Sequence, residues 1–173
     1  MEFAEVVRRR GMVRAFLSRP VEGATVRRLL EYAHRAPSAG FTQPVEFVVV
    51  RDPAVRQRLV QAAWGQTWVG AAPVVLAVCA DTRRSAARYG ERGVRRYSIV
   101  DAAFASMLIL LGAVDEGLGA CFVGAFDDDA VRDVLGLPPH VLPVGLIPVG
   151  YPAERPPRYR RRPLESLVHH DRW

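Results

Sequence analysis

The side chains in this sequence with the clearest chemical potential are arginines. All 24 basic residues among 173 are Arg and none is Lys, which excludes Schiff-base chemistry and a P-loop lysine. They gather in three runs: RRRGMVR at 8–14, RRSAARYGERGVRR at 83–96 and RYRRR at 158–162. A planar guanidinium donates paired hydrogen bonds to phosphate oxygens, so two such runs converging in space would grip a phosphate, whereas runs left apart would be solvated surface. Other chemistry is poorly supplied. His34, His140, His169 and His170 lack metal-ligand spacing. Ser38 and Ser85 lack the glycine elbow of a hydrolase nucleophile. Asp127, Asp128 and Asp129 read as a helix N-terminus complementing the helix dipole. The glycines of GLGACFVG superficially match a dinucleotide fingerprint, but they follow a predicted helix and open a strand, the reverse of what that fingerprint needs. The net charge of +6 comes without aromatic interleaving or a nucleic-acid module. Phosphate-gripping arginines without a nucleophile, metal or general base fit an enzyme whose cofactor carries the chemistry.

These residues need a scaffold. Phe3, Val6 and Val7 suggest a short first helix, and Val26, Leu29, Leu30 and Ala33 form one apolar helical stripe that Pro37 ends. VEFVVV (45–50) reads as a strand, and Asp52-Pro53 supplies a cap and a first-turn proline for a helix to about Trp64. PVVLAVCA (73–80) is a second strand, followed by a long charged connection over 81–96 that would be a solvated loop or a mobile lid attracting anions. Ser98 then caps an all-round apolar core helix, interrupted by Asp101 and ended by Gly117. GACFVGAF (119–126) reads as a third strand, Asp127 caps a short helix ending near Gly136, and VLPVGLIPVG (141–150) reads as a fourth strand whose prolines predict an edge or a bulge.

Half the residues are hydrophobic, as in one globular domain. No uninterrupted apolar run reaches the roughly 18 residues of a membrane span, and MEFAEVVRRR carries its charges after its apolar residues, unlike a secretory leader, so a cytoplasmic location is expected. Cys79 and Cys121 sit in apolar runs and read as unpaired core thiols. Residues 1–150 make up the domain. Residues 151–173 form an arm rich in Pro and Arg that also carries Leu164, Leu167, Val168 and Trp173, whose apolar surface must be covered either by its own domain or by a second subunit.

In their order, RRRGMVRAF, RAPSAGFTQPVEFVVVRDP, GQTWVGAAPVVLAVCAD, DAAFASMLILLGAVDEGLGACFVGAFDDDAVRDVLGLP, PVGLIPVGYPAE and RRRPLESLVH resemble the FMN-dependent nitroreductase family almost end to end. The resemblance implies an α+β fold with a mixed central sheet flanked by helices. It also implies a homodimer in which each C-terminal arm crosses to the partner, with one FMN in each interface site. The activity implied is electron transfer from NAD(P)H through FMN to a small acceptor by a ping-pong course. The same fold also serves specialised flavin dehydrogenases or oxidases and flavin-free binding relatives.

The resemblance assigns roles residue by residue. Arg10 and Arg14, flanking Gly11 and Met12, correspond to the grip on the FMN phosphate and ribityl chain, and Met12 stands where the family has a serine. Arg161 in the arm corresponds to a further phosphate ligand, with Arg160 and Arg162 as neighbours able to substitute. Ser38, Ala39 and Gly40 belong to a loop that covers the flavin from the other subunit, and Phe41 replaces a usual Asn there. Gln66 corresponds to a contact with the pyrimidine edge of the flavin. Val123, Gly124 and Ala125 correspond to backbone N–H donors toward flavin O4 and N5. No side chain is expected to act as acid or base, and no metal, nucleic acid or membrane is implied.

Overall fold

A computed structural model describes residues 1–157 and 159–173. Four strands form one sheet: β1 (Val45–Val50), β2 (Val74–Asp81), β3 (Gly119–Ala120) and β4 (Val141–Gly150), in the spatial order β1-β2-β4-β3. All the pairings among the described residues are antiparallel, in place of the expected mixed sheet. The link from β1 to β2 explains why. It carries two helices, α3 (Pro53–Ala62) and α4 (Trp68–Ala71), and so returns the chain to the end it left, where Val50 pairs with Val75.

The apolar run of β2 has no polar alternation because both of its faces are covered. Val74, Leu76, Val78 and Ala80 join one core with residues of α2 (Gly23–His34) and α6 (Ser98–Asp115). Val75, Ala77 and Cys79 join a second core with residues of α3, α4 and α7 (Asp128–Leu135). The remaining helices are α1 (Phe3–Arg9) and α5 (Thr82–Arg92). Several sequence signals act as expected. Val26, Leu29 and Ala33 are the buried stripe of α2, Asp52 accepts from the N–H groups of Ala54 and Val55, and Asp127 accepts from that of Ala130. Gly136 closes α7 at φ 64°, a conformation glycine adopts without a Cβ penalty.

The prolines of β4 sit where the ladder tolerates them. Cys79 pairs with Pro143 and Val78 with Gly145, so Val144 is the extra residue of a bulge. Pro148 accepts through its carbonyl from the Cys121 N–H at 3.3 Å. Its imide nitrogen therefore faces the β3 side, where pairing is sparse. There the expected strand over 119–126 shrinks to two residues plus an isolated bridge between Val123 and Leu146.

The charged connection is helical, not a loop. Thr82 to Asp115 form a helical stretch of 34 residues with a kink. Gly90 interrupts it at φ 54°, ψ −139°, and a π-helical turn over Gly93–Tyr97 joins α5 to α6. Ser98 accordingly does not cap α6, and its Oγ donates to Val94 O. The only buried residue of α5 is Ser85, so no apolar stripe marked it in the sequence. By composition α6 could cross a membrane, but Ala102, Ala105, Ile109, Leu110 and Ala113 pack into the sheet core.

Candidate functional site: a donor-rich edge and a strained loop

The chain leaves α1 at Arg10 and runs as an extended segment alongside the start of the arm. The N–H groups of Arg14 and Ala15 both donate to Glu154 Oε1, at 2.6 and 3.1 Å, and those of Leu17 and Ala153 to Tyr151 O and Ala15 O. Pro156 presses on Gly11 so closely that a Cβ there would lie 2.3 Å from its Cγ. The end of the first arginine run therefore lies beside residues 153–156, the start of the arm. The Arg14 guanidinium stands 5.4 Å from the centroid of the Trp68 ring. Among the described residues neither Arg10 nor Arg14 is in an ion pair, so their charges are available to an anion. Met12 is turned inward. Its thioether packs against both cores and its Sδ accepts from the Phe122 N–H at 3.4 Å, so the side chain is committed inward, where its apolar surface is sheltered from water.

The expected Gln66 and 123–125 come together. Gln66 Nε2 donates to Ala125 O at 2.6 Å, which ties the turn before α4 to the segment after β3. Val123 departs from its expected role because its N–H is engaged with Leu146 O at 2.9 Å in the sheet. Gly124 and Ala125 are exposed, and their N–H groups have no protein acceptor among the described residues. The indole N–H of Trp68 is likewise unpartnered. This edge is thus rich in donors, two of them cationic. Its chemistry fits FMN, which brings a phosphate and ring carbonyls as acceptors. Burial pushes up the thiol of Cys121, which Arg14 pulls back down, and burial pushes the Cys79 thiol up to about 12. Both thiols are buried and free, in surroundings that disfavour the thiolate.

Ser38, Ala39 and Phe41 lie elsewhere. Their loop enters β1 beside the C-terminal end of β2, where Asp81 N–H donates to Pro44 O at 2.7 Å. The Arg14 segment lies at the other end, since Val149 pairs with Val74 and Gly150 abuts Phe16. At about 3.3 Å per residue, the length of β2 separates them by roughly 23 Å. Phe41 is 79% exposed and fills no core of its own domain. Sequence reasoning missed Trp68, Glu154 and the structural use of Asp101. An acid inside an apolar helix was the available signal for the last of these.

From Tyr159 onward the side chains of the arm are exposed. Tyr159, Leu164, Leu167, Val168 and Trp173 are all exposed, so their apolar surface is not covered by their own domain. Arg160 and Arg161 are exposed on it, Arg162 donates to Ser166 O, and Arg158 lies outside the described residues. A second uncovered apolar surface lies on α6 and α1, at Ile99, Val100, Phe104, Met107, Phe3 and Val7.

A two-core sandwich around an antiparallel sheet, with a donor-rich edge and a trailing arm, defines an α+β protein suited to a phosphate-bearing planar ligand. The sequence pattern of the Nitroreductase family matches residues 7–71 and 61–151. A Thermus thermophilus protein named NADH dehydrogenase is 37% identical, over 92% of this chain and 91% of that protein. The oxygen-insensitive NADPH nitroreductase of Salmonella typhimurium is 30% identical, over 93% of this chain and 70% of its own length. Among solved structures, the NADPH:FMN oxidoreductase of Vibrio harveyi complexed with NAD+ superposes with a TM-score of 0.90 at 25% identity, covering 99% of this chain and 77% of that one. This chain belongs to the nitroreductase family.

Proposed function

We propose that this protein is an FMN-dependent oxidoreductase that uses NAD(P)H to reduce a small acceptor. The observation that carries this reading is the donor-rich edge, where, among the described residues, the Arg10 and Arg14 guanidinium groups are in no ion pair and the Gly124 and Ala125 N–H groups meet no protein acceptor. Bound FMN would supply the redox chemistry, taking a hydride from NAD(P)H and passing electrons to a nitroaromatic, a quinone or a similar acceptor in a ping-pong course. The residues of the chain hold and tune. Arg10 and Arg14 bind the phosphate end, joined by Arg161 or its neighbour Arg160. The Gly124 and Ala125 N–H groups meet ring acceptors, where fixed donors stabilise developing negative charge. Gln66 braces that segment through Ala125 O. Trp68 supports Arg14 from below.

The site is completed by a second copy of the chain. Two observations support this: the Ser38–Phe41 loop and the Arg14 segment sit at opposite ends of the sheet, and the arm and α6 leave apolar surface uncovered. In the dimer, the loop of one protomer covers the site of its partner, and the arm crosses over. Purified protein should be yellow, release FMN on denaturation and consume NADH or NADPH when a quinone or nitroaromatic is added. A colourless protein that binds no added FMN would overturn the reading.

A further inference from the structure

The loop before β1 combines features that rarely occur together. Gly40, Phe41 and Gln43 have φ values of 54°, 58° and 48°. Bulky residues avoid this region and persist in it only where their surroundings over-determine them. The surroundings here do so. Ala39 N–H donates to both carboxylate oxygens of the buried Asp101 at 3.1 Å, and Gln43 N–H to Ser38 Oγ at 3.0 Å. The carbonyls on either side of Phe41 are each held by an arginine of α5: Arg88 donates to Gly40 O at 3.0 Å and Arg84 to Thr42 O at 2.9 Å. The helix leans so closely that a Cβ on Gly40 would lie 2.5 Å from Tyr89 Oη. A single exposed Phe is ordinary. An exposed Phe held at positive φ, with both flanking carbonyls tethered, has its backbone, and with it the direction in which its ring leaves the chain, kept in one place.

We propose that Arg84 and Arg88, with Asp101, are positioning residues that fix Phe41 as a rigid aromatic face, and that this face selects which planar acceptors the protein takes. The selection rests on the oxidoreductase reading above; the fixing of Phe41 does not. The α5 arginines thus serve as a buttress rather than as a mobile, anion-attracting lid. A fixed ring stacks on a planar partner and excludes bulk, whereas a ring on a loose loop yields to it.

Two measurements test this. In the full-length protein labelled with fluorophenylalanine, Phe41→Leu identifies the Phe41 fluorine line. Replacing Arg84 and Arg88 together by Ala should move that line toward the shift of free fluorophenylalanine and leave the lines of the other Phe residues in place. A line that does not move overturns the positioning role. Next, the ratio of kcat/KM for a small and a bulky quinone is compared across Arg88→Ala, Phe41→Ala and the double variant. Arg88→Ala should change the ratio at least about threefold when Phe41 is present and leave it unchanged in the Phe41→Ala background. An equal change in both backgrounds overturns the route through Phe41. A protein that reduces no acceptor overturns the oxidoreductase reading and the selection with it, while the fluorine line still decides the positioning.

Discussion

Replacing Arg14 by Ala should remove most of the phosphate specificity of the cofactor site without disturbing the fold. The backbone at this position is held by its own N–H, which donates to Glu154 Oε1 whatever the side chain, so the segment should keep its course. The side chain is exposed, and its visible partner is the Trp68 ring at 5.4 Å, a cation–π contact worth about 0.5–1 kcal/mol at such a site. Its loss should lower Tm by no more than roughly 2–4 °C in a chain of this size. A charge-assisted hydrogen bond to phosphate is worth about 1.5–3 kcal/mol. At 1.4 kcal/mol per tenfold, FMN affinity should fall by roughly tenfold to a hundredfold. Quenching of flavin fluorescence, titrated with FMN and with riboflavin, measures this directly. Riboflavin lacks the phosphate, so its affinity should change little. Equal losses for the two ligands would refute the assignment, because Arg14 would then act on the ring or through the fold.

Further expectations concern other parts of the molecule. Deleting 151–173 removes an arm whose Leu164, Leu167, Val168 and Trp173 find no cover on their own domain, and the shortened chain should be insoluble or flavin-free; a soluble, monomeric, yellow product in light scattering and absorbance would refute the exchanged arm. Burial raises the Asp101 carboxyl above its usual range, against the lowering effect of the Ala39 N–H bond. A raised carboxyl favours the folded state below its unfolded value, near pH 4, and loses that contribution as pH rises through its folded value. Asp101→Asn should therefore gain in Tm relative to the parent as pH climbs from about 4 toward neutrality, and a pH-independent difference would contradict this. Gly93→Ala would place a Cβ 2.3 Å from the Ser85 carbonyl oxygen. This backbone contact cannot rotate away, so the variant should lose about 1–3 kcal/mol in urea unfolding.

The sequence by itself determined much of the local structure, through signals that act over a few residues. The stripe of α2, the Asp52-Pro53 start of α3, the Asp127 cap and the Gly136 stop of α7 are short-range devices, and each works as its chemistry requires. The order of the motifs also pointed to the family, and with it to the arginines at 10 and 14. What the sequence could not carry was anything decided by distant partners. α5 buries almost nothing, so its helical state rests on continuity with α6 and on arginines that reach back to the loop before β1. The strand expected over 119–126 keeps only two ladder residues, and next to them β4 meets it with Pro148, which has no N–H to donate. Met12 and the Val123 N–H are not free at the donor-rich edge because the core and the sheet engage them. The separation of Phe41 from Arg14 belongs to the tertiary structure alone, because it is the length of β2 that sets the two segments at opposite ends of one sheet.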